Sequence, residues 1–260
     1  MSHDVIDVIP IWVLFLFECA FSTLALEAGY RYGIRRNAWG MVEKEAPVGA
    51  MVASILALFA FLLAFTFGMA ADRFETRKHA ILDEANSIGT TYLRARLLPE
   101  PMSSVSCRLL REYVDVRVEG IQKSTVLEAK ARSEEIHELL WLETIKVAAQ
   151  QPNLVTTLYI QSLNSMIDMH GVRIQAGLRN RIPAIIWVVL LLLAALSMAA
   201  VGYQSGLAGT RRSPAMLVLI VAFACVMYLI TDLNRPLEGF ITAGQQSLLD
   251  LQTSIKSGKP

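Results

Sequence analysis

The chain has 260 residues, 54% of them hydrophobic and only 18% charged, against roughly 25% charged in soluble domains. With a mean hydropathy of +0.44 it falls in the membrane class, and a net charge of +1 excludes a binder that works by neutralising nucleic-acid phosphates. Cys19, Cys107 and Cys225 are too few and too widely spaced for a disulfide framework or a metal motif, and two of them lie in apolar runs as small hydrophobes.

The opening segment MSHDVIDVIP carries Asp4 and Asp7 but no Lys or Arg. It lacks the basic stretch of a cleaved signal, so the first apolar run reads as a retained helix. That run, Val8 to Ala28, is interrupted by Glu18 and Glu27. An ionisable group in mid-membrane is costly unless it is paired, protonated or facing water. Glu18 therefore reads as an intramembrane carboxylate with two open roles. It is either an ion or proton site, or a protonated carboxyl hydrogen-bonded to a neighbouring helix. Glu27 is expected at the interface, paired with an arginine of the following loop, Gly29 to Glu45, which holds Arg31, Arg35, Arg36 and Lys44.

The second run, Ala46 to Ala71, has no charge. Phe61 and Phe65 are four apart and share a face, while Phe59 and Phe67 lie off it. Repeated around a symmetry axis, such rings would form an apolar constriction able to gate ions by dewetting. The helix continues through Asp72, Arg73, Glu75, Arg77 and Lys78 with no Gly or Pro before Gly89. Charges at such a mouth would set the local ion concentration, and Glu75 and Lys78 are placed to pair within the helix.

Residues 72–181 read as a helical extramembrane domain. Pro99 and Pro101 mark a turn. In CRLLREYVDVRVEG, the residues Leu109, Leu110, Tyr113, Val114 and Val116 supply an apolar face. Ser124 to Gln150 is rich in helix formers and includes TVLEAKARSEEIHELLWLETIK, a candidate partner-binding helix. Beyond Pro152, the residues Leu154, Leu158, Leu163, Ile167, Ile174 and Leu178 trace one face. His3, His79, His137 and His170 are scattered and expected to be solvated.

A third run, Ile182 to Tyr203, begins with Pro183 in its first turn. A short loop with Arg211 and Arg212 leads to the fourth run, Pro214 to Thr231, and a tail helix is expected over 236–260. Runs this long must be helical, because lipid offers no partners to backbone polar groups. The expected fold is an all-α integral membrane protein with four transmembrane helices in two pairs, 1–71 and 182–235, flanking the helical domain. Short basic loops stay in the cytoplasm, which places the helical domain and both termini on the other side. No nucleophile elbow, HExxH or glycine-rich phosphate loop occurs. No catalytic residue, metal site or cofactor is expected, and the chain does not read as an enzyme.

The run FLLAFTFGMAADRFETRKHAI resembles the pore-lining helix of the bestrophin anion channels. Phe65, Asp72, Arg73, Phe74 and Arg77 fall on its pattern, and Phe61 falls on the neck position one turn before Phe65. Ala57, a further turn back, is smaller than the bulky residue usual there. Over about two thirds of the chain the resemblance is closer to the bacterial bestrophin-like domain family. It is carried by LLAFTFGMAADRFETRKHAILDEANSIGTTYLRARLLPEP, LLREYVDVRV, LNSMIDMHGVRI, GYQSGLAGTRR and YLITDLNRPLEGF.

The resemblance implies a homo-oligomer in a bacterial inner membrane, pentameric in bestrophins. The second helix of each subunit would line a pathway for small anions such as chloride. Phe61 and Phe65 would form the pore neck, with Asp72, Arg73 and Arg77 at the pore mouth. It also implies a cytosolic helical domain, opposite to the side the basic loops indicate. Bestrophins hold calcium after the fourth membrane helix. Here Asp232 and Glu238 stand without an acidic cluster, so calcium does not carry over. Two alternatives stay open: a non-conducting scaffold or sensor whose helical domain binds a partner, and a proton-coupled transporter using Glu18.

Overall fold

A computed structural model describes residues 9–39, 45–122, 126–210, 213–235 and 239–257. His3, Lys44, Arg211, Arg212 and Glu238 lie outside the described residues, as does the side chain of Leu178. Every regular element among the described residues is helical: α1 Ile11–Ala38, α2 Glu45–Ala95, α3 Met102–Gln122, α4 Val126–Gln150, α5 Leu154–Ile174, α6 Ala184–Leu207, α7 Pro214–Asn234 and α8 Gln246–Ser257. A π-helical turn, Gln175–Arg179, closes α5. Among the described residues, four helices (α1, α2, α6 and α7) are long and apolar enough to cross a membrane. The chain divides into two compact units. One comprises Met1–Arg73 with Arg181–Thr242, the other Phe74–Asn180 with Ala243–Pro260. Helix α2 contributes to both without a break.

In the first unit, α1 runs on to Ala38, through Arg31, Arg35 and Arg36, where a loop was expected from Gly29. The glycines that suggested a loop instead serve packing. A Cβ at Gly29 would overlap the carbonyl of Ala199 on α6, and one at Gly202 would overlap the carbonyl of Leu26 on α1. Gly33 and Gly206 repeat this approach one turn further on. Backbones this close gain dispersion contacts that lipid tails cannot match, which is how small residues join membrane helices. Glu27 does pair with Arg31, at 2.7 Å, but along the helix rather than with a loop. Beyond α6, the carbonyl of Thr210 accepts a hydrogen bond from Tyr30 Oη at 3.0 Å.

The segment after α7 is held by polar side chains. Asp232 is buried, and its two oxygens accept the backbone N–H groups of Phe240 and Ile241, each at 2.9 Å. Gly239, at φ +139°, is needed there because a side chain would run into the Asp232 carboxylate. Asn234 Oδ1 accepts from the N–H of Ile182 at 3.2 Å, and the buried Arg235 guanidinium donates to the carbonyl of Ile9.

The second unit has a core of Ile88, Leu110, Tyr113, Ile136, Leu140, Tyr159, Leu163 and Met166. The apolar face expected on α5 is kept in part, since Leu163 is buried and Ile167 packs against the core, but the buried stripe is rotated from it. Leu154 is 74% exposed, and the buried face is Thr156, Tyr159, Ser162, Leu163, Met166, His170 and Arg173. Polar residues with partners occupy that stripe, and a count of apolar residues alone rotates it. In the tail, α8 starts only at Gln246 and is part of this unit. Its Leu248 and Ile255 are buried, while Gln252 Nε2 and Lys256 Nζ reach Asp115 on α3 at 2.6 and 3.0 Å.

Candidate pore helix and buried charge cluster

Helix α2 has two unlike faces in the first unit. Val48, Val52, Phe59, Leu63, Thr66 and Ala70 are buried. Phe59 packs its ring on Phe223 of α7, with centroids 4.8 Å apart. Thr66 Oγ1 and Ser54 Oγ donate to carbonyls one turn back, so neither hydroxyl needs a partner from another helix. The other face is an apolar stripe that the chain itself leaves open. Met51, Leu58, Phe61 and Phe65 are each more than half exposed, and Asp72 follows Phe65 two turns on, also exposed.

The structure therefore brings Phe61, Phe65 and Asp72 to one surface. Arg73, next to Asp72, is half-buried. Arg77 is not presented with them, since its side chain is covered within the chain at 5% exposure. Glu75 and Lys78 approach to 3.7 Å along the helix. Glu18 is buried on α1, and the Ser22 hydroxyl donates to its Oε1 at 3.0 Å. Its hydrogen-bond partner is thus one turn along its own helix, not on a neighbouring one.

A buried charge cluster in the second unit is one that sequence reasoning missed. Glu84 on α2 is fully buried. Arg117 on α3 places Nε 3.0 Å from Glu84 Oε1, and Arg173 on α5 donates from Nη1 to Oε2. The Tyr113 hydroxyl donates to Oε1 at 2.9 Å. That hydroxyl also lies 3.1 Å from His170 Nδ1. With its proton directed at Glu84, it can only accept there, which assigns the His170 proton to Nδ1. His137 on α4 completes the group, its ring edge-on to His170 at 5.0 Å. The two histidines are buried at 7% and 5% exposure rather than solvated. The available signal was spacing: Tyr113 and Arg117, and His170 and Arg173, are one helical turn apart.

The electrostatics of this cluster are specific. Burial alone would raise the Glu84 carboxyl, but Arg173, the His170 hydrogen bond and Arg117 together hold it well below the usual carboxylate range. Burial, reinforced by His170, pushes His137 down to about 4. Burial and the neighbouring Glu84 carboxylate raise Tyr113 well above the usual phenol range. The group holds one carboxylate against two guanidiniums. It can lock α2, α3 and α5 together.

A family model described as "Bestrophin-like domain" matches residues 20–248. Among solved structures, a bacterial bestrophin homolog from Klebsiella pneumoniae superposes with a TM-score of 0.64 at 13% identity, over 95% of this chain and 98% of that one. Two structures described only as a membrane protein match with TM-scores of 0.61 and 0.62 at 14% identity. They cover 96% and 95% of this chain and 100% and 97% of theirs. No curated protein matches. At such identities the structural likeness establishes the fold.

Proposed function

The chain belongs to the bestrophin-like domain family, and from that membership we propose that it forms a homo-oligomeric channel for small anions such as chloride. In this reading α1, α2, α6 and α7 are two membrane-spanning pairs in a bacterial plasma membrane, and the second unit stands outside the bilayer. Helix α2 of each subunit lines the pathway. Phe61 and Phe65 form an apolar neck, and Asp72 and Arg73 flank its mouth with Arg77 behind them.

One observation carries the reading. The stripe from Met51 to Phe65 is open on a helix whose opposite face is already packed within the chain. Copies arranged around an axis would turn those stripes towards one another, and rings of Phe would then close the path by dewetting. The test is reconstitution of the full chain into planar bilayers under a chloride gradient. The wild type is expected to pass current, and Phe61→Ala and Phe65→Ala to raise it several-fold by widening the neck. Silence from all three proteins overturns the reading.

A second reading is favoured by α4, where Leu127, Leu142 and Ile145 are each more than half exposed. A non-conducting scaffold or sensor would use such a face to bind a partner. A monomer or simple dimer in mild detergent leaves Phe61 and Phe65 no ring to form and selects this second reading.

A further inference from the structure

The Glu84 cluster holds its four helices unequally. Helices α2, α3 and α5 meet in it through charge and hydrogen bonds. Glu84 accepts from Arg117 and Tyr113 of α3 and from Arg173 of α5, and the Tyr113 hydroxyl accepts from His170. Helix α4 sends in the ring of His137, which lies against Tyr113 with centroids 4.9 Å apart and stands edge-on to His170 at 5.0 Å. Its Nε2 is buried without a hydrogen-bond partner. Among the described residues, no hydrogen bond or ion pair joins α4 to Glu84, Tyr113, Arg117, His170 or Arg173. Ile136, Leu140 and Val147 pack α4 on the core, and Arg132 donates from Nε to Glu112 of α3 at 2.9 Å, in an exposed ion pair of a kind that stabilises little.

We propose that α4 is an acid-released latch: in mild acid it lifts from the second unit while the Glu84 network keeps α2, α3 and α5 together. The groups around His137 decide this. It faces Glu84 from α2, Tyr113 and Arg117 from α3 and His170 from α5, with Glu134 on its own helix. An imidazolium donates from both nitrogens, so it needs an acceptor that the neutral ring does not. Glu84 cannot serve, because Tyr113, Arg117 and Arg173 occupy both its oxygens. The new charge would instead stand near Arg117 in a buried site, where like charges repel more than in water. Glu134 pairs with Lys130 at 2.5 Å and moves with α4, so it does not favour the docked position over the released one. Burial, reinforced by His170, holds docked His137 down to about 4. The proton does not have to enter the closed cluster. It is taken up from water once α4 opens, where His137 has its ordinary value of 6.5, and it then opposes reclosure. Opening therefore grows as pH falls from 6.5 towards 4. Helix α5 is not released with α4, since Arg173 still binds a Glu84 carboxylate that stays ionised over that range. The latch is independent of whether the chain conducts ions.

The test is hydrogen exchange read by mass spectrometry on the full chain in lipid nanodiscs at pH 7.5 and pH 5, with rates corrected for the intrinsic pH dependence of amide exchange. Exchange in peptides from α4 is expected to rise at least about tenfold at pH 5, while peptides from α3 and α5 keep their protection. His137→Gln, which cannot take the charge, should leave α4 as protected at pH 5 as at pH 7.5. His137→Leu replaces it if that variant fails to fold by gel filtration. Unchanged exchange in α4 of the wild type, a rise shared equally by α3 and α5, or a rise that persists in a folded variant each overturns the proposal.

Discussion

Glu84 illustrates how much one side chain can carry once it is buried. Its carboxylate faces Arg117 and Arg173 within the cluster of the second unit, and Tyr113 and His170 complete its surroundings. Glu84→Gln keeps the shape and removes the charge, stranding two guanidiniums in a buried site. Breaking a buried pair in this way costs about 3–5 kcal/mol, and a clear drop in thermal midpoint in detergent is the expected reading. The same residues make the unit acid-sensitive. His137 binds its proton at about 4 in the folded chain against 6.5 ordinarily, so between those values the unfolded chain takes up a proton that the folded chain refuses. Stability therefore falls as pH drops through that window. The Glu84 carboxyl is held low, so its contribution is present above the ordinary carboxylate value of about 4.3 and is lost as pH falls below it. Thermal midpoints measured from pH 7.5 to 4 should decline, and His137→Gln should flatten the upper part of that decline. An unchanged slope in the variant removes His137 from the account.

At the scale of elements, the contact between α1 and α6 depends on what is missing from Gly29 and Gly202. Each faces a carbonyl so closely that any side chain must push the helices apart. Gly202→Leu is expected to cost at least about 1–3 kcal/mol, as overpacking does, and to lower the yield of folded protein on gel filtration. Wild-type behaviour of that variant would show that the approach is not required. Helix α8 makes an opposite case, since it is short, late in the chain and yet part of a core. Leu248 is fully buried, so Leu248→Ala should destabilise the second unit by about 2–5 kcal/mol. Limited proteolysis of the chain should then cut within that unit sooner than in the wild type.

For the whole molecule, function turns on what covers the stripe of α2. An apolar surface with Phe61 and Phe65 projecting from it can face lipid, or it can face copies of itself around an axis. A channel requires the second arrangement. Native mass spectrometry from nanodiscs should then show a single closed oligomer, and a pentamer would match the stoichiometry that the bestrophin resemblance implies. A charge placed on the stripe, as in Phe65→Glu, should alter current or assembly, whereas the same change at an exposed position of α7 such as Val218 should chiefly impair insertion.

The four helices long and apolar enough to cross a membrane were readable from sequence alone, because a bilayer of fixed thickness demands length and apolarity, and both are properties of a continuous run. The shared face of Phe61 and Phe65 was equally readable, since helical periodicity is local. The family blocks were legible for the same reason, as ordered strings of residues. What the sequence could not display depends on contacts between residues far apart along the chain. Glu84, Tyr113, Arg117, His137, His170 and Arg173 come from four helices, and none of them is unusual within its own segment. Their burial also explains the misplaced stripe on α5, where His170 and Arg173 face inward because partners await them. Gly29 looks like a helix end until Ala199 is found against it, and the burial of Arg77 within the chain is likewise invisible in its own segment. Glu18 was conspicuous from the start as a carboxyl in an apolar run. Only the tertiary structure set it on a cavity wall with Trp187, because the α1 and α6 segments that supply them meet through packing rather than sequence proximity.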